Sequence, residues 1–190
     1  MKRLPLPLLL VALTSAAAPL WGSPVPAAPA GALDVLSGID FVPGRADLDR
    51  LFAGNVSDLV AVANGDGGED PGIRLRAYRA LGQFEGDPVA LSGVRAAVGR
   101  YRSARQGTEL LYLIAALHAL GVVGDASDVA TVAPLLGAGD SRDLRAAAAR
   151  ALGDLGGEAA CEALRSQIND PLLMVRIAVN RAIQQVCRAP

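Results

Sequence analysis

Aromatic side chains make up only 4% of this chain, and lysine occurs once, at Lys2. A core centred on aromatic rings is therefore disfavoured. Burial must come from many Leu, Ala and Val side chains, which favours closely packed helices. Histidine also occurs once, at His118. A metal centre needs several converging ligands, so a site built from paired histidines is excluded. Only two cysteines are present, Cys161 and Cys187, and none stands near the N-terminus to accept a lipid. No Gly-x-Ser-x-Gly elbow occurs. The apolar run from Leu4 to Leu13, interrupted by Pro5 and Pro7, falls short of the roughly twenty residues that a membrane-spanning helix needs.

What that run does fit is a leader. Lys2 and Arg3 precede "LPLPLLLVAL", and the small-residue stretch "TSAAAPLWGSPVPAAPAGA" follows, the three-part pattern of a secretory signal peptide. Cleavage after Ala17, Ala27 or Ala30 satisfies the small-residue rule. The expectation is a protein exported to the periplasm or outside the cell, with residues 1–30 as signal, 31–45 as a linker or cap, and 46–187 as one domain. Loss of Lys2 and Arg3 leaves 16 basic against 19 acidic side chains, about −3 with His118 neutral. A mildly acidic chain lacks the basic footprint of a nucleic-acid binder.

The chain repeats itself. "IRLRAYRALG" (Ile73–Gly82), "YLIAALHALG" (Tyr112–Gly121), "LRAAAARALG" (Leu144–Gly153) and "VRIAVNRAIQ" (Val175–Gln184) fall into register on the word Ala-Leu-Gly. The steps are 39, 32 and 31 residues, the first lengthened by "RYRSARQG" (Arg100–Gly107). A period of this size signals a solenoid. In each copy the first, fifth, eighth and ninth positions are apolar or small, as at Leu144, Ala148, Ala151 and Leu152, and these share one side of a helix. Start signals precede the copies at Asp70-Pro71, Thr108, Asp140-Ser141 and Asp170-Pro171. A second, shorter apolar set lies between them: "DPVALSGVRAAVGRY" (Asp87–Tyr101), "DASDVATVAPLLG" (Asp125–Gly137) and "GEAACEALRSQI" (Gly157–Ile168). Gly82, Gly121 and Gly153 are expected to end the helices that carry the word and let the chain fold back.

The pattern of Asp-Pro, an aliphatic-Arg pair, Ala, Ala-Leu-Gly and then Gly-Asp or Gly-Glu resembles HEAT repeats of the phycobilisome-lyase-like type, from about Asp70 to Val186. The resemblance implies an all-α, right-handed solenoid of about four antiparallel helix pairs. It also implies arginine–aspartate bonding at Arg74, Arg145 and Arg176, but not in the second copy, where Leu113 stands. "ADLDRLFAGNVSDLVAVANG" (Ala46–Gly65) is expected as the outer helix of the first pair, with "GALDVLSGIDFVP" (Gly31–Pro43) over its open end or serving as a linker.

Catalysis finds little support in these residues. His118 occupies the column filled elsewhere by Arg79, Arg150 and Arg181, which points to a polar surface position rather than a tuned base. "NGDGGED" (Asn64–Asp70) has Gly68 and Leu75 where a calcium loop needs its third and twelfth ligands, and reads as an acidic turn in which Asp70 caps the next helix. Arg95, Arg100, Arg102 and Arg105 gather around the long connection, either as a solvated loop or as a contact site. Cys161 and Cys187 are offset by about 13 Å if the last two helices run straight and antiparallel, which predicts two free thiols unless the C-terminal residues fold back.

In HEAT-like stacks the second helix of each pair lines the concave surface, so the resemblance places two columns there. One is Leu75, Ile114, Ala146 and Ile177; the other is Arg79, His118, Arg150 and Arg181. Arginine beside exposed aliphatic groups suits a protein or peptide segment bearing carboxylates. The expectation is a non-enzymatic interaction module or scaffold without cofactor or metal, binding a protein or peptide of acidic character and no nucleic acid, with no membrane span once the signal is removed. The alternative is a HEAT-like lyase or an accessory subunit of an enzyme.

Overall fold

A computed structural model describes residues 28–38, 41–137, 139 and 141–187. The leader expected over residues 1–30 lies almost wholly outside the described residues, as does Asp140. Every regular element among the described residues is helical. Those elements are α1 (Ala32–Ser37), α2 (Arg45–Leu51), α3 (Val56–Asn64), α4 (Pro71–Leu81), α5 (Pro88–Tyr101), α6 (Gly107–Val123), α7 (Val129–Val132), α8 (Arg142–Leu155), α9 (Glu158–Arg165) and α10 (Leu173–Val186). Short 3-10 turns, Ala126–Asp128 and Ala133–Gly137, flank α7.

The pairs are α3 with α4, α5 with α6, residues 126–137 with α8, and α9 with α10. The second arms form a continuous row, α4 against α6, α6 against α8, and α8 against α10. This is the HEAT-like α-solenoid expected from the repeat. The repeated apolar positions turn into the stack: Ala77, Ala80, Leu81, Tyr112, Ala116, Leu120, Leu144, Ala148, Leu152, Val175 and Val179 are all buried. One pair alone has no cover for such a stripe, so each copy requires its neighbour.

Start signals hold in two of the four places. Asp70 accepts a hydrogen bond from the Gly72 N–H at 2.7 Å, with Pro71 in the first turn of α4. Ser141 accepts from Leu144; Asp87, which was not among the expected start signals, likewise accepts from Val89 and Ala90 ahead of Pro88. The acidic-turn reading of Asn64–Asp70 is thus confirmed in its capping role. Two signals fail. The N-cap of α6 is Gln106, without a side-chain bond, rather than Thr108. Asp170 caps nothing at α10, whose N-cap is Leu172; it turns inward instead, accepting from the Leu172 N–H and pairing with Arg145.

Four helix boundaries also differ from expectation. The outer helix expected over Ala46–Gly65 is broken between α2 and α3, where Ala53 and Gly54 take positive φ values of 49° and 75°, and Asn55 then caps α3. Gly121 and Gly153 do not end their helices: α6 runs on to Val123 and α8 to Leu155, while only Gly82 sits at a C-cap. The first arm of the third pair is not a single α-helix either, because Pro134 supplies no N–H to continue α7 and the chain tightens into the 3-10 turn.

The arginines at the second position of the copies serve the fold. Arg74 Nε donates to the Ala63 carbonyl at 3.3 Å and Arg145 Nε to the Leu136 carbonyl at 2.9 Å, each satisfying an acceptor at the end of the preceding first arm. Arg176 donates to the carbonyls of Asp170 and Pro171. Of the bonding that the resemblance implied, the arginine–aspartate pair is found at Arg145 with Asp170, across two copies. Elsewhere carbonyls replace the carboxylate. In the second copy Leu113 is fully buried, and the neighbouring ring of Tyr112 lies 4.5 Å beneath the Arg74 guanidinium.

At the N-terminal end, α1 lies on α4, where Arg76 donates to the carbonyls of Leu36 and Ser37. At the other end Cys161 and Cys187 form a disulfide with Cα atoms 5.3 Å apart, which overturns the expectation of free thiols. Consecutive turns, with the N–H groups of Gln167, Ile168 and Asp170 bonding to Leu164, Arg165 and Gln167, carry the first arm well past Arg165. Cys187 has already left the helical path as the C-cap of α10. The two arms are therefore not level at their loop, as a straight antiparallel pair would be.

Candidate functional site

The exposed face of the second-arm row holds the columns singled out above. Arg79, Arg150 and Arg181 are exposed, and His118 is half-buried. Leu75 and Ile114 are half-buried and Ile177 is 39% exposed, so all three retain accessible apolar surface. Ala146 does not belong with them. It is 3% exposed, because α8 is enclosed by α6, α10 and the turn at 133–137, leaving few of its side chains in solvent.

Three recesses run along this face. The first, about 160 Å³, is lined by Leu75, Arg79, Leu111, Ile114 and His118. The second, about 350 Å³, brings Arg79 and His118 together with Val122 and Asp154. The third, about 310 Å³, is lined by Arg150, Asp154, Met174, Ile177, Arg181 and Gln185. The columns therefore form one surface shared by four helices rather than separate spots. Leu111, Asp154, Met174 and Gln185 were not singled out from the sequence. Each stands three or four residues from a column member on the same helix, the spacing that brings helical side chains onto one face.

Charge on this face is unevenly satisfied. Among the described residues Arg79, Arg150 and Arg181 make no ion pair or hydrogen bond, whereas the arginines of the fold are engaged. The face's one carboxylate, Asp154, accepts from the Gln185 side chain at 3.0 Å rather than from either neighbouring arginine. His118 lies between Arg79 and Arg150. Burial lowers its pKa, and the two guanidiniums lower it further, against a smaller opposing effect of Asp154. The imidazole is thus held neutral, with a cation on each side.

The arginines around the long connection do not make a second site of this kind. Arg95 is committed to the start of the third pair, 2.7 Å from Asp128 and 3.1 Å from Asp125. Arg105 donates to the carbonyls of Arg102 and Ala104, and Arg100 lies over the Tyr101 ring. Among the described residues no cluster of three His, Cys, Asp or Glu side chains is placed to hold a metal ion. No helix among them is long and apolar enough to cross a membrane.

Residues 104–184, from just before α6 into α10, match the family model of HEAT repeats. That segment is similar to HEAT repeats. The helix α4 precedes the matched segment, yet its Gly82 approaches Ala119 as later glycines approach later alanines, so the same stacking extends to the first copy. A comparison with curated proteins finds no match.

Proposed function

We propose that this protein is an exported, non-catalytic interaction module whose second-arm face, the concave side of a HEAT solenoid, holds a partner protein by its carboxylates. The observation that carries this reading is the column of unpaired guanidiniums at Arg79, Arg150 and Arg181, on the first, third and fourth copies. An exposed arginine without a carboxylate retains its full bidentate capacity, and Leu75, Ile114, Met174 and Ile177 supply apolar contact beside it. Residence outside the cytoplasm is supported by the Cys161–Cys187 bridge, since such bonds persist in oxidising compartments, and by the leader pattern of residues 1–30. The non-catalytic reading draws on the position of His118, which stands where other copies carry arginine.

Capture of partners from the native cell envelope tests the proposal. Wild-type protein retains a partner through an acidic segment, and Arg150→Glu with Arg181→Glu loses most of that capture while helicity and melting stay unchanged. Undiminished capture by the folded double variant removes this face as the site.

A further inference from the structure

Resting on the reading of this face as a carboxylate-binding surface, we infer that it holds one extended partner segment at two equivalent recesses, between α4 and α6 and between α8 and α10. Each recess takes an aliphatic side chain beside a carboxylate, and the segment bridges the seam of α6 and α8. The repeat itself carries this. Leu111 and Met174 each stand just before the first position of their copy, and Ile114 and Ile177 each stand third. Ala115 answers to Ala178 as the fourth, and His118 to Arg181 as the seventh. All four positions of α6 line the recess of about 160 Å³, and all four of α10 line the recess of about 310 Å³. The facing helix puts the same seventh position into both, Arg79 from α4 and Arg150 from α8. Two seams are thus built to one plan.

The seam between them departs from that plan. On α8 the four positions are Asp143, Ala146, Ala147 and Arg150, so both large aliphatic side chains are replaced. Ala146 and Ala147 are buried, and Asp143 is exposed beside Arg142. Leu111 and Met174, by contrast, are 50% and 52% exposed, each in a recess that also contains an arginine. Asp154 lines the second recess too, but it accepts from Gln185 and stands there with two arginines, so that wall stays cationic. The fitting ligand unit is an aliphatic residue next to an acidic one. Its alkyl group covers Leu111 or Met174, and its neighbour's carboxylate takes the guanidinium. Two such units on one chain make the second contact intramolecular, which multiplies affinity.

Synthetic peptides, followed by fluorescence anisotropy at neutral pH and low salt, test this. One carries a single Leu-Glu pair. A second carries two such pairs joined by ten Gly/Ser residues, whose mean span of about 17 Å suits two helix-to-helix steps of about 8–10 Å each. A third joins the pairs by one glycine, and a fourth keeps the long linker and both glutamates but has serine for leucine. The long two-pair peptide is expected to bind about 100-fold tighter than the single pair, with the other two well below it. Leu111→Ser and Met174→Ser, at exposed positions and with melting unchanged, should each return it to about the single-pair affinity. Binding no tighter than the single pair, equal binding of the serine peptide, or indifference to both protein variants overturns this inference and leaves a general acidic-partner face. Failure of every peptide to bind overturns that face as well.

Discussion

Gly153 lies directly against Ala182 of the next copy: a methyl group at Gly153 would come within 2.9 Å of the Ala182 Cβ and 3.1 Å of its Cα. Gly121 stands in the same relation to Ala151, with 3.2 Å to its Cα, and Gly82 to Ala119, with 3.4 Å. The glycine of each Ala-Leu-Gly word is therefore the notch into which the alanine of the following word fits. In the last copy Gln184 occupies the glycine's position and is exposed. The repetition is the record of a helix-to-helix contact made three times.

One substitution, placed at two positions, is expected to give opposite signs. Gly153→Ala gains about 1 kcal/mol of helix propensity but overpacks the contact with Ala182, for a net loss of about 1 kcal/mol. Gly99→Ala, in α5 where a methyl group meets nothing within 4 Å, keeps the propensity gain and stabilises. Urea denaturation of both variants checks the pair of signs. Stabilisation by Gly153→Ala would show that the notch is not needed.

Arg145→Met is expected to cost about 3 kcal/mol, because Asp170 is 3% exposed and its buried carboxylate is left without a cation. Arg50→Ala, which removes the exposed pair with Asp47, should leave the unfolding midpoint unchanged. Chemical denaturation distinguishes the two.

Removal of the bridge by Cys161→Ala with Cys187→Ala is expected to destabilise the protein by about 3–4 kcal/mol, given the chain length the bond closes. Protein purified from an oxidising compartment should yield no thiol to labelling after denaturation without reductant, and two after reduction.

His118 gives stability a defined pH dependence. Its folded pKa is lowered from 6.5, chiefly by burial and then by Arg150 and Arg79, with Asp154 opposing. The fold therefore favours the neutral form. That contribution is complete above the unfolded value and is lost as pH falls through the folded one. Wild-type protein should lose more stability between pH 7.5 and about pH 5 than His118→Gln does. Parallel losses in the two proteins would show that the imidazole takes no part.

The repeat was legible because the solenoid imposes one burial pattern on every copy, so Leu144, Ala148, Ala151 and Leu152 announce their face by spacing alone. Asp70 and Ser141 were legible as caps because capping is local. What escaped depends on neighbours distant in the chain. Gly121 and Gly153 look like helix ends until Ala151 and Ala182 are seen to need the space. Asp170 looks like a cap until Arg145 claims it. Ala146, on the face opposite the recognised stripe, is buried because α8 has neighbours on several sides. The disulfide depends on how far the turns after Arg165 carry the chain, which no helical count gives. The arginine column was legible by phase; that its members stay unpaired while Arg74, Arg145 and Arg176 turn inward was not.

Arginine Nε–H correlation NMR on the 190-residue protein, with and without a captured acidic partner segment, tests the central claim most directly. The predicted result is a change confined to the Arg79, Arg150 and Arg181 signals, with those of Arg74, Arg145 and Arg176 unmoved in their bonds to the fold. Changes at Arg102 or Arg105 with the column silent would contradict the account and move the binding site to the long connection.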